Sequence, residues 1–161
     1  MTVQQGAPGI NLIGRYFSTD DIVLDVDAAD KLKALAEVAL LVERRYQIDH
    51  EAVERALWRR EQMGSTGLGH GIAIPHARIP GISKPIVMFV RTRRPIKFGA
   101  PDRKPVDNLF VILVPSYATE EHLRILAAVS SMFSSESFRG QLAAAATSSE
   151  AYRLFSEWPQ D

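Results

Sequence analysis

Apolar residues recur at spacings of three and four through Leu32, Leu35, Ala39, Val42 and Tyr46, which predicts one buried stripe of a first helix. Just ahead, Ile22-Val-Leu-Asp-Val26 predicts a short strand. Asp27 and Asp30 then supply a helix start with acids at the positive end of the dipole. A second helix is predicted from a cap at Asp49 to Met63, closed by Gly64. Its apolar face runs through Val53, Ala56 and Leu57 and then meets Arg60. Buried cations are rare unless paired. Arg60 therefore either snorkels at the end of the stripe or points at an anion near the glycine-rich loop that follows.

Beyond a turn cluster at Pro80 to Pro85, Ile86-Val-Met-Phe-Val90 predicts a strand. Arg91, Arg93 and Arg94 come next, either as a docking patch for an acidic partner or as a solvated charge run at the strand end. Ile96-Lys-Phe98 predicts another short strand. Val106 to Val114 is the most apolar stretch and predicts a central strand buried on both faces, ended by Pro115. Thr119 is the expected cap of a third helix. His122 heads the stripe Ile125, Leu126, Val129 and Phe133, which places it at the sheet edge rather than on the wet face. Two further short helices are predicted over Phe138 to Ala146 and Ser149 to Trp158.

Composition narrows the function classes. With 161 residues the chain is long enough for one domain with a full core. Lysine plus arginine (19) balance aspartate plus glutamate (19), so no global field draws the chain to nucleic acid or to an anionic membrane. The absence of cysteine excludes a disulfide scaffold, a thiolate metal site and a cysteine nucleophile. No apolar run approaches the roughly 18 residues of a membrane span, and a cytoplasmic protein without membrane insertion is expected. The opening residues are rich in Gly, Pro and Gln and carry no period. They predict a flexible, dispensable leader over 1–11 and one domain over 12–158.

The chemistry concentrates in Gly64-Ser-Thr-Gly-Leu-Gly-His-Gly-Ile-Ala-Ile-Pro-His-Ala-Arg78. Glycines at 64, 67, 69 and 71 permit close backbone approach, and such a loop can offer N–H groups to an anion. Pro75 biases Ile74 toward extended backbone and so presents His76 from a strand end in a defined direction. A neutral imidazole, with an ordinary pKa of about 6.5, offers a nitrogen lone pair to a phosphoryl group. One histidine at a strand end is nonetheless ordinary in itself. The loop is not a Walker A loop, because no Gly-Lys-Ser/Thr follows, and it lacks the third glycine of a dinucleotide fingerprint, Ile72 standing there. His70, His76 and His122 are potential zinc ligands. No carboxylate stands at short ligand spacing, so no metal is expected. His50 reads as an exposed surface residue.

Gly-Ser-Thr-Gly-Leu-Gly-x-Gly-Ile-Ala-Ile-Pro-His closely resembles the active-site signature of enzyme IIA of the mannitol/fructose/nitrogen-regulatory class of the bacterial phosphoenolpyruvate-dependent phosphotransferase system. The resemblance runs from about Leu12 to Trp158 and includes Pro105-Val-Asp-Asn-Leu-Phe-Val-Ile-Leu-Val-Pro115 and Glu121-His122-Leu123. It implies an α/β fold, a single domain with a mixed sheet of about five strands flanked by helices. It also implies a phosphohistidine nucleophile at His76, on either ring nitrogen, assisted by Arg60 and His122. Thr66, Gly67, Gly69 and His70 are candidates for the phosphoryl oxygens. At His70 the chain departs from the family, which usually carries Asn before Gly71. The implied function is a phosphocarrier of the nitrogen-regulatory type, a transferase in the broad sense. It would be charged by a histidine-containing phosphocarrier protein and would act on target proteins according to its phosphorylation state. A sugar-specific IIA that serves a IIB domain for fructose or mannitol, and an interaction module that is never phosphorylated, are the alternatives. No cofactor is implied.

Overall fold

A computed structural model describes residues 10–117 and 120–159. Residues 1–9 of the predicted leader and the cap at Thr119 lie outside the described residues. These residues group into two compact units, 10–22 with 120–159 and 23–117.

The larger unit is built on a six-stranded mixed sheet, one strand more than the sequence predicts. Strand β1 (Ile22–Val26) leads into helices α1 (Lys31–Tyr46) and α2 (His50–Gln62). Three short strands follow, β2 (Gly67–Gly69), β3 (Ile72–Ala73) and β4 (His76–Ile79), and then the long strands β5 (Ile86–Ile96) and β6 (Val106–Pro115). The order is β1-β5-β6-β3-β2, with β4 also paired to β6. Strand β5 runs antiparallel to β6, whereas β3 and β4 run parallel to it in succession. As its apolar run predicts, β6 is buried on both faces: Leu109 to Val114 are all at most 1% exposed.

The helices cover one face of the sheet. Met88, Val90, Leu109, Val111 and Leu113 meet Leu35, Val38, Val42, Val53 and Leu57 in one core. Both helices start on aspartate caps, Asp30 accepting from the Lys33 amide at 2.8 Å and Asp49 from the Glu51 amide at 3.4 Å. The α1 stripe is rotated from the predicted one. Ala34, Leu35, Val38, Ala39 and Val42 are buried, while Leu32 is 44% exposed. The three arginines do not follow the strand end but lie inside β5, where the register breaks between Arg91 and Ile96. Arg93 and Arg94 pair with Asp25 and Asp27 at 3.1 and 3.3 Å, a solvated charge ladder rather than an open cationic patch.

The smaller unit packs α3 (Glu120–Ser134), α4 (Glu136–Ala144) and α5 (Ser148–Ser156) around aromatic rings. Phe138 stacks edge-on with Phe133, Phe155 and Trp158 at centroid distances of 5.7, 5.4 and 5.3 Å. Helices α4 and α5 start on Ser135 and Thr147 caps. Asn11 corrects the boundary predicted for the leader. It is 4% exposed, and its side-chain amide donates to the carbonyls of Phe155 and Trp158 at 2.7 and 3.0 Å. Carbonyls at the end of α5 lack helical partners, and Asn11 satisfies them from the far end of the sequence.

Candidate functional site

The glycine-rich stretch folds as a β-hairpin. Strands β2 and β3 pair antiparallel, Gly69 opposite Ile72, with His70 and Gly71 as the two-residue connection. Both connecting residues have positive φ, 57° and 80°. A type I′ turn demands that, which is why Asn-Gly is its commonest sequence. Histidine belongs with asparagine and aspartate among the residues enriched at positive φ. The departure from the family's Asn thus retains the turn. A Cβ at Gly71 would stand 3.1 Å from Asp107 Oδ1, so the turn also needs glycine for space.

Much of the loop's hydrogen-bonding capacity is used within the protein. The Thr66 amide donates to Glu61 Oε2 at 2.9 Å, the Gly67 amide to Ser65 Oγ at 3.0 Å and the His70 amide to Asp102 Oδ2 at 2.9 Å. The Thr66 hydroxyl donates to Glu61 Oε1 at 2.6 Å. In this conformation the loop is therefore not an anion cradle at residues 66, 67 and 70, and the His70 side chain is exposed. The two backbone donors hold the Asp102 carboxyl below the usual range, the His70 amide most and the Lys104 amide next. At Gly67 the requirement is packing: a Cβ there would lie 2.8 Å from Ala100 Cβ.

Proline divides the parallel strand into β3 and β4. Ile74 donates its amide to the Thr66 carbonyl at 3.0 Å, and Ile112 of β6 donates to the Pro75 carbonyl at 3.0 Å. His76 opens β4 opposite Ile112. It is half-buried, and its ring Nδ1 lies 2.9 Å from the Ile74 carbonyl oxygen. A carbonyl oxygen only accepts, so this contact puts the proton on Nδ1 and the lone pair of the neutral ring on Nε2. The strand that was predicted to end at His76 instead resumes there, and the histidine sits on sheet backbone.

Helix α2 packs against β4. At its end Arg60 is half-buried and donates Nη1–H to the Gly64 carbonyl at 2.8 Å, bracing the first glycine of the loop. The rest of the planar fork retains the geometry that suits phosphoryl oxygens. Its neighbour Glu61 is the residue that sequence reasoning missed. It is 5% exposed and also takes the Lys31 ammonium at 2.9 Å. The signal was present, because Val53, Leu57 and Glu61 follow at successive steps of four and all are buried. His122 stands half-buried in the first turn of α3, in the smaller unit, beside Glu121, whose carboxylate accepts the Tyr16 hydroxyl.

The three histidines weighed and set aside as zinc ligands are not the ones that meet a ligand geometry. Among the described residues, three potential ligand atoms come within 4.8 Å of one another at Glu43, Asp49 and His50. His50 is not the isolated surface residue expected, since its Nδ1 lies 3.0 Å from Glu43 Oε2. No described helix is long and apolar enough to cross a membrane.

Comparison with known proteins converges on one family. The family profile described as phosphoenolpyruvate-dependent sugar phosphotransferase system, EIIA 2, matches residues 15–158, across both compact units. The chain is 39% identical over 133 residues to a nitrogen regulatory protein of Pseudomonas aeruginosa, covering 82% of this chain and 86% of that one. It is 46% identical over 94 residues to a PTS system fructose-specific EIIA component of Haloferax volcanii, covering 58% of this chain and 61% of that one. The crystal structure of nitrogen regulatory protein IIA-Ntr from Neisseria meningitidis superposes with a TM-score of 0.85 at 40% identity, over 91% of this chain and 100% of that one.

Proposed function

We infer that this chain, which belongs to the EIIA 2 family of the phosphoenolpyruvate-dependent sugar phosphotransferase system, is a cytoplasmic phosphocarrier of the nitrogen-regulatory kind with His76 as the accepting residue. The observation that carries the reading is the 2.9 Å contact from His76 Nδ1 to the Ile74 carbonyl. It directs the nucleophilic lone pair to Nε2 and fixes the ring before a donor arrives, so little reorganisation is left for the transfer. The lone pair attacks phosphorus of a phosphohistidine on the donor phosphocarrier. The donor's P–N bond breaks, its electron pair stays on the donor imidazole, and a proton from solvent neutralises that ring. Arg60, across from β4 at the end of α2, is the cation for the phosphoryl oxygens. The family resemblance assigns the second histidine, His122, to the same chemistry.

Output follows from charge. Phosphorylation adds about −1.5 to −2 at pH 7. Met63 and Leu68, 80% and 44% exposed, offer apolar surface to a protein partner. A dianion close to such a surface changes which partner it accepts. The nitrogen regulatory relatives favour target proteins as that partner. The fructose-specific relative supports a second reading, transfer onward to a IIB domain.

Intact-mass measurement at mildly alkaline pH, after incubation with phosphoenolpyruvate, enzyme I and the histidine phosphocarrier, tests the carrier. One acid-labile phosphoryl adduct is expected on the wild type and none on His76→Ala, with slower acceptance by Arg60→Ala and His122→Ala. Retained labelling of His76→Ala removes His76 from its role, and absence of an adduct with several cognate donors removes the carrier reading. Adding a fructose- or mannitol-type IIB domain separates the two outputs, because only the second predicts loss of the adduct to it.

A further inference from the structure

We propose that Glu61 is a positioning residue for His76, acting through Thr66 and Ile74 to set the imidazole tautomer. The inference rests on the reading of His76 as phosphoryl acceptor. It starts from an unusual arrangement: a carboxylate with 1% side-chain exposure at the end of an otherwise polar helix turn. Buried carboxylates need full compensation, and Glu61 receives three donors. These are Lys31 Nζ from α1 at 2.9 Å, the Thr66 amide at 2.9 Å and the Thr66 hydroxyl at 2.6 Å. The ammonium itself is fixed, lying 4.5 Å from the centroid of the Phe98 ring. Both polar hydrogens of Thr66 are therefore clamped to one rigid acceptor between two helices.

The clamp has one consequence along the backbone. With its amide and hydroxyl held, Thr66 presents its carbonyl to the Ile74 amide at 3.0 Å. The following peptide is held from the other side, Pro75 accepting from Ile112 of β6 at 3.0 Å. Ile74 is thus fixed through its own N–H and through the carbonyl of the next residue, and its carbonyl can point only where it does. That carbonyl accepts the Nδ1 proton of His76 at 2.9 Å. Every link from Lys31 to the imidazole is a hydrogen bond of 3.0 Å or less between buried or half-buried groups. Chains of this kind act on a reactive ring by holding one tautomer, as outer partners do for metal-bound histidines. Thr66 accordingly serves the histidine from behind rather than the phosphoryl oxygens.

Ring ¹⁵N chemical shifts of His76, recorded with the neutral imidazole in the full chain, read the tautomer directly and need no phosphoryl donor. Wild type and Thr66→Ser should show Nδ1–H as the dominant form. Thr66→Val and Glu61→Leu should raise the Nε2–H share severalfold and slow phosphoryl acceptance by about tenfold or more. If Glu61→Leu fails to fold, the two Thr66 variants still decide, because they differ by the hydroxyl that Glu61 holds. An unchanged tautomer in Thr66→Val overturns the proposal even if acceptance slows. A tautomer that shifts as expected in a protein that never accepts a phosphoryl group upholds the positioning role and overturns the carrier reading instead.

Discussion

Helices α1 and α2 are tied together at both ends by an acid–base contact, and the two ties behave differently. At one end Lys31 meets Glu61 with side chains 21% and 1% exposed; at the other His50 meets Glu43 with 38% and 41% exposed. The distances, 2.9 and 3.0 Å, hardly differ. What differs is everything behind the acid. Glu61 holds the Thr66 amide and hydroxyl and, through them, the strand that carries His76. Glu43 holds only the first residue of α2, through the ring and the amide of His50. Geometry alone does not rank two ion pairs; burial and what else the acceptor serves do.

The buried tie is where substitution should cost most. Glu61→Ala leaves the Lys31 ammonium and two donors of Thr66 without their acceptor, and should lower unfolding free energy by about 3 kcal/mol in denaturant titration. A loss below about 1 kcal/mol would put both ties in the same class and break the contrast. Lys31→Met keeps the apolar stem over Phe98 but removes the charge, and should cost about 1.5 kcal/mol by the same measurement. A loss equal to that of Glu61→Ala would mean that the cation, not Thr66, is the partner that matters.

The exposed tie should be the weakest and should depend on pH. The side-chain hydrogen bond to Glu43 raises the His50 pKa above 6.5, helped by the charges of Glu43, Glu51 and Asp49 against some desolvation. The same bond lowers the Glu43 pKa below 4.5, with the His50 amide second. A raised base stabilises fully below its unfolded value and loses that contribution as pH rises through its folded value. A lowered acid stabilises fully above its unfolded value and loses it as pH falls through its folded value. Both contributions are complete between pH 4.5 and 6.5. The melting difference between wild type and Glu43→Gln should peak in that window and shrink on either side, and a flat difference from acid to alkaline pH would contradict it.

Elements with a long period or a strong cap were legible in the sequence. The apolar run of β6, the Asp49 cap and the stripe of α3 all stand where pattern puts them. The short elements of the site were not. A strand of three residues carries too few positions for an alternation to register, so β2 was read into the glycine-rich loop with an assumed anion-binding role, and only the strand leading to His76 was expected. Pro75 read as a stop because it lacks an N–H, but a strand on one side of a parallel partner needs only its carbonyl there, and Ile112 uses it. Glu61 escaped for a third reason. A carboxylate at the end of a helix is solvated by default, and only the return of Thr66 to the same place makes burial possible. The step of four from Val53 and Leu57 turns Glu61 inward, but a partner met across a loop leaves no period of its own.

The turn at His70 and Gly71 bears on how the protein ages. An asparagine followed by glycine is the sequence most prone to backbone attack on the side-chain amide, which gives a cyclic imide and then aspartate or isoaspartate. Isoaspartate inserts an extra carbon into the main chain and would disturb the register of a two-residue hairpin next to Ile72. Imidazole cannot undergo that reaction. By placing histidine at φ 57°, this chain retains the turn geometry and removes the chemical clock from the hairpin that leads to His76.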